Sequence, residues 1–214
     1  MDNHYPILPG VNVSLGAMKR EYIPLFMRGA NDPEVTKGVL LRPPVTLEEE
    51  LAWYDKPKTG RDAVFAILLH EKDTTVAGYR YIGHTGLHGI EWPNGVATTG
   101  SIIADKTLFG KGYGTEAKLL LLYEAFRNRG LRKICSQVKA FNGNSWGHLL
   151  ACGYREVGRR RAQHFSDGAF VDEILFEVFR DEWEAAWEKY QQTKELPRLS
   201  EEQRDRLRKE TGTK

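Results

Sequence analysis

An apolar run, Ser101-Ile102-Ile103-Ala104-Asp105, leads within a few residues into Gly110-Lys111-Gly112-Tyr113-Gly114-Thr115-Glu116-Ala117. The order reads as a strand, a glycine-rich turn and the start of a helix. Nothing else in the chain constrains the fold as tightly. Glycine at every second position leaves the turn's backbone bare, so its N–H groups can converge on an anion. The following helix adds unpaired donors and a partial positive charge at its N-terminus, and Lys111 adds a full charge. This chemistry suits a pyrophosphate. A phosphate-bearing cofactor is therefore the first expectation, with a ligand-free glycine turn as the bland alternative.

Spacing narrows the cofactor. A Walker A loop needs Ser or Thr after Gly-Lys, and Gly112 stands there. A dinucleotide fingerprint needs a third glycine where Thr115 stands. Strand, short loop, Gly-x-Gly-x-Gly and long helix instead resemble the coenzyme A loop of the GNAT N-acetyltransferases. The string from Gly110 to Ala117 is similar to the branch that contains ribosomal-protein N-terminal acetyltransferases. A second block, Asn142-Gly143-Asn144-Ser145 followed by Gly153-Tyr154, matches that family's Asn-x-x-Ser run and its short helix ending in Gly-Phe or Gly-Tyr. Read alone, Asn142 is a turn residue and Ser145 a helix cap. Asn31-Asp32-Pro33-Glu34-Val35 and Glu182-Trp183 also look like this branch, so the resemblance spans most of the chain, from about Val11 to Trp183.

The resemblance implies an α/β class, a mixed α+β sheet, with a GNAT domain over residues 1–183 and a C-terminal helical extension over 184–214. It implies acetyl-CoA as co-substrate and no metal. The acetyl group would pass to a primary amine by direct attack in a ternary complex. The acceptor would be a protein N-terminus or peptide, a polyamine, an amino acid or an amine drug. It places Ile102, Ile103, Phe109, Gly110, Lys111, Gly112, Tyr113, Gly114, Thr115, Asn142 and Ser145 on the cofactor, with a backbone N–H near Ile103 on the carbonyl oxygen. The pantetheine arm would pair with that strand edge as an added strand does. A non-catalytic acetyl-CoA-binding sensor or scaffold of the same fold is the alternative.

Three features depart from the family pattern. Phe109 replaces the usual Arg or Gln at the start of the loop. Leu149 stands where many members carry a tyrosine that protonates the departing thiolate. Thr98, Thr99, Ser101 and Ile102 occupy the strand that usually bears the basic carboxylate. The branch implies Ser145 for the leaving thiol, and its glutamate base aligns with His164, a residue type suited to proton transfer. Glu91 and Asp105 are weaker candidates for the base. Trp53, Trp92 and Asp172 are expected to shape the acceptor pocket. Asp172 sits on an apolar strand face and needs a partner, and bracing the terminal hairpin is its favoured role over holding the amine.

Composition limits the partners. In 214 residues the net charge is +2, giving no general attraction to nucleic acid or membrane. Arg155, Arg159, Arg160 and Arg161 divide between two faces of an alternating strand, so no continuous nucleic-acid surface is expected. No apolar run approaches a membrane span, and the start at Met1–Pro6 lacks a signal-peptide pattern, so the expected location is the cytoplasm. Cys135 and Cys152 read as small core residues with reduced thiols. His84 and His88 have a ligand-like spacing, but they fall in an expected glycine-rich loop over 84–95 with no third ligand.

Periodicity predicts strands over 11–15, 63–69, 76–82, 97–104, 133–138, 155–165 and 170–179. It predicts helices over 21–28, from a Thr46 capping box, over 115–128, over 145–152 and after Arg180. Breaks are expected at 56–60, at 71–73 and in the hairpin turn Ser166-Asp167-Gly168. Trp183, Trp187 and Tyr190 form a packing face, either for this domain or for a second subunit, leaving monomer and homodimer open.

Overall fold

The computed structural model describes residues 6–39, 44–56, 59–71 and 78–211. Met1–Tyr5, Pro57 and Lys58 of the expected break, Lys72 and Asp73 of the expected turn, and Val76 and Ala77 of the expected strand lie outside them.

Eight strands form one mixed sheet in the order β1-β2-β3-β4-β5-β6-β8-β7. They are β1 (Pro6–Pro9), β2 (Val13–Ala17), β3 (Ala63–His70), β4 (Tyr79–Glu91), β5 (Val96–Ile103), β6 (Lys133–Lys139), β7 (Arg155–Ser166) and β8 (Ala169–Phe179). Every neighbouring pair is antiparallel except β5 and β6. β1 escaped the sequence reading because two prolines bracket its four residues. Residues 84–91, expected as loop, continue β4 instead. Residues 84–87 pair with both β3 and β5, and His88 and Glu91 pair with β5, so the glycine-rich segment is held as strand by its neighbours.

One face of the sheet carries α4 (Tyr113–Tyr123), α5 (Gly143–Ala151) and α6 (Arg180–Thr193). Leu119, Leu120, Leu121 and Leu122 of α4 are all buried, as expected for a helix that is apolar nearly all round. Its last turn widens into a π turn over Glu124–Asn128. The opposite face carries α1 (Tyr22–Ala30), whose Tyr22 and Phe26 pack on Ala66, Leu68 and Tyr81. Each such burial removes a large side chain from water and contributes about 1.5–3 kcal/mol. Two further helices flank this face: α2 (Pro33–Thr36), and α3 (Leu47–Asp55), which starts in the expected Thr46–Glu49 capping box.

Glu116, fully buried near the start of α4, ties three parts of the chain together. Its carboxylate accepts from the Val11, Asn12 and Val13 amides, from Asn12 Nδ2 at 3.1 Å and from Tyr190 Oη at 2.6 Å. The aromatic face of α6 packs within its own domain: Trp183 and Trp187 lie 5.4 Å apart, and Tyr123 is 4.9 Å from Trp187. The expected division at 183/184 therefore falls inside α6, a helix that is part of the core. The last helix, α7 (Glu201–Thr211), lies on α5, with Leu207 against Gly147. No described helix is long and apolar enough to cross a membrane.

Candidate active site

The site begins where β5 and β6 part. Their parallel pairing lasts for three residue pairs, Val96–Lys133, Ala97–Ile134 and Thr98–Cys135. Beyond Thr98, β5 pairs only with β4, and β6 only with β8. Facing backbone edges are thus exposed at the carboxyl ends of two parallel strands, where ligands bind in open α/β sheets. Tyr154 fills the vertex of the gap. Its buried phenol lies 3.2 Å from Thr99 Oγ1, which donates to the Cys135 carbonyl at 3.4 Å. Gly153 permits this placement: it adopts φ +93°, and a Cβ there would meet the Glu182 carbonyl at 2.6 Å.

A cleft of about 800 Å³ runs from this gap to the glycine turn. Ile102, Ile103, Phe109, Gly110, Gly112, Tyr113, Gly114, Thr115, Asn142 and Ser145 all line it. Lys111 does not. It lies outside the wall, close enough for its charge to help hold the Asp105 carboxyl below its ordinary value, after the larger effect of the Thr107 hydroxyl. Gly112 caps α4 at φ +85°, a left-handed conformation that aims the first helical amides at the cleft. Asn142 closes the other side. Its Oδ1 accepts from Ser145 N at 3.1 Å, and its Nδ2 donates to the Gly38 carbonyl and to Ser145 Oγ, both at 2.9 Å. Ser145 Oγ is thereby an acceptor inside the protein, and its own proton is free to point into the cleft.

A smaller cavity of about 350 Å³ continues through the gap. Gly38, Val39, Ser101, Ser145 and His148 line both spaces. Thr98, Gly100, Gln137, His88, Lys118 and Glu173 belong to the smaller one. Glu173 is 2% exposed and is held from behind: Arg160 Nη1 donates at 2.7 Å, and His164 Nε2 lies 2.8 Å away. An irregularity in β7 between Arg160 and His164 allows both residues to reach one carboxylate. Burial lowers the pKa of His148 to about 3 and also lowers that of His88 from its ordinary value, so both rings are neutral near pH 7.

The expected site residues therefore separate. Ser145 stands at the junction of the two spaces. His164 lines neither, because Glu173 lies between it and the cavity. Asp172 also lines neither: its Oδ1 accepts from Ala162 N at 2.8 Å and its Oδ2 from Arg159 at 3.4 Å, which braces the β7 irregularity. Trp92 donates to the Gly60 carbonyl at 3.1 Å, and Trp53 stacks on His84 at 6.0 Å, both off the cavity walls. Glu91 holds Asn94, and Asp105 caps the turn at Thr107. Leu149 lines the smaller cavity without a proton to give.

Three contributors had escaped the sequence reading. Glu173 looked like an ordinary strand residue. Lys118 was hidden in a run of leucines, although a lone lysine there was a signal, since a buried charge calls for a partner. Pro197, Leu199 and Leu207, from the expected C-terminal helical extension, line the larger cleft.

A family model for the acetyltransferase (GNAT) domain matches residues 13–155. The chain belongs to the GNAT acetyltransferase family. It is an acetyl-CoA-dependent N-acetyltransferase, and acetyl-CoA is its co-substrate. Solved structures agree in fold. A Vibrio cholerae spermidine N-acetyltransferase, solved with CoA and spermine, superposes with a TM-score of 0.71 at 20% identity, over 80% of this chain and 98% of the other. A GNAT-family acetyltransferase of Bacillus anthracis gives 0.68 at 17% identity, over 81% and 98%. A protein of T. thermophilus, inferred to be an acetyltransferase, gives 0.68 at 25% identity, over 90% and 98%. No curated protein sequence matches the chain.

Proposed function

We propose that this GNAT enzyme acetylates a primary amine that enters the smaller cavity from the face carrying Glu173, while acetyl-CoA occupies the larger cleft from the opposite end. The observation that carries this reading is the junction itself. A cleft with a bare amide turn at one end meets, through parted strands, a second space bearing a carboxylate. The pyrophosphate would lie on the amides at the start of α4, and the pantetheine arm would run along the free edge of Ser101–Ile103 toward Ser145.

A protonated amine cannot attack a thioester. Glu173 is the carboxylate positioned to attract the cation and accept its proton, with His164 acting through Glu173 as a positioning residue. The deprotonated amine attacks the thioester carbonyl. A strand amide near Ile103 supports the oxygen's developing charge. The Ser145 hydroxyl is positioned to hydrogen-bond the sulfur as the C–S bond breaks.

The resemblance to ribosomal-protein N-terminal acetyltransferases makes a peptide N-terminus one acceptor class to test. The shared fold of a spermidine N-acetyltransferase makes a polyamine another. Free coenzyme A thiol released from acetyl-CoA should be measured with peptides, polyamines, amino acids and aminoglycosides. Acceptor-dependent release identifies the class. Glu173→Gln should then lower turnover on the order of 100-fold, and His164→Ala by less. Binding of acetyl-CoA with no release on any amine would favour the sensor alternative, or an acceptor or acyl donor outside the panel.

A further inference from the structure

Lys118 is one turn into α4, on the helix that begins at the cofactor turn. It is 1% exposed, yet it lines the smaller cavity where the strands part. No hydrogen bond or salt bridge to a described residue engages its ammonium. Among the described residues, no carboxylate acts on its charge. The Cys152 thiol is pushed by burial up to about 12 and stays neutral, and His148 and His88 are neutral rings. Glu173, across the cavity, is already held by Arg160 and His164. Lys139, on the β6 wall, is a second cation and donates to the Lys37 carbonyl. A buried cation without a partner calls for an anion, and the described residues place none against it.

The reaction makes one at this place. A pantetheine arm laid along Ser101–Ile103 brings its sulfur to the junction of the two spaces, next to the wall that Lys118 and Leu149 share. We propose that Lys118 is the proton donor for the departing coenzyme A thiolate. The inference rests on the transferase reading above. As the tetrahedral intermediate collapses, the C–S bond breaks and its electron pair goes to sulfur. One N–H bond of the Lys118 ammonium breaks, and its proton forms the S–H bond of coenzyme A. Lys118 is left as a neutral amine, and water entering the emptied cavity returns the proton. Burial lowers the Lys118 pKa from 10.5 to about 8, close to an ordinary thiol, so the transfer is nearly balanced in both directions.

The test uses the full chain and Lys118→Met, which removes the charge and keeps an unbranched stem; thermal melting confirms that the variant is folded. One readout is acceptor-dependent turnover. The other is independent of turnover: the titration of the thiol of bound coenzyme A, followed by thiolate ultraviolet absorbance. The wild-type ammonium should favour the bound thiolate by about tenfold over the variant, and the variant should lose about 100-fold or more in turnover while still binding acetyl-CoA. Unchanged turnover in Lys118→Met overturns the proposal. Lost turnover with an unchanged thiol titration also overturns it, making Lys118 a wall of the cavity only. If the wild type binds coenzyme A but accepts no amine in the panel, the titration decides alone. A wild type that neither binds coenzyme A nor releases it refutes the transferase reading itself.

Discussion

The buried ammonium of Lys118 has a measurable effect on stability, separate from its role in transfer. In the unfolded chain its pKa is near the ordinary 10.5, and in the folded protein burial lowers it to about 8. Below about pH 8 the group is charged in both states, and the folded state carries the whole desolvation penalty. Between about 8 and 10.5 the unfolded chain binds the extra proton, so this group's contribution to stability rises with pH. Above 10.5 both states are neutral and the penalty is gone. At about 1.4 kcal/mol per pH unit, the gap corresponds to about 3 kcal/mol. Lys118→Met should therefore stabilise the enzyme by about 3 kcal/mol near neutral pH, raising Tm by about 6–12 °C. Urea unfolding of both proteins across pH provides the assay, since their difference cancels the groups they share. The gain should shrink steadily above about pH 8. A variant that is no more stable than wild type near neutrality, or a gain independent of pH, would refute the reasoning.

Other perturbations follow from single contacts. Glu116→Ala leaves buried amide donors and the Tyr190 hydroxyl unpaired, and should destabilise the fold by about 3 kcal/mol or more in chemical denaturation. Gly112→Ala forces a side chain into φ +85° and into Leu196. It should cost about 1–2 kcal/mol of stability and weaken acetyl-CoA binding about tenfold or more by calorimetry. Leu207→Asp should detach α7 from α5, seen as faster proteolysis after residue 194, with the melting of the remaining domain little changed.

Much of the cofactor end was legible because it is built from local chemistry. The strand before the glycine turn and the cap that Asn142 makes to Ser145 N each depend on residues close in sequence. The acceptor end was not legible. His164 and Glu173 are brought together by an irregularity in β7 that no alternation pattern announces, and this put the alignment-based base one layer behind the cavity. The glycine-rich segment 84–91 reads as loop by itself and becomes strand only between β3 and β5. Leu199 and Leu207 stand in a highly charged stretch, and their partial burial depends on where α7 returns to the domain.

The most direct measurement of the central claim is backbone amide hydrogen exchange with and without acetyl-CoA. Occupancy of the cleft should slow exchange at residues 101–103 on the free edge of β5 and at residues 112–115 at the start of α4, with little change on β1 and β2. No protection at these two segments with acetyl-CoA bound would contradict the placement of the cofactor between the parted strands.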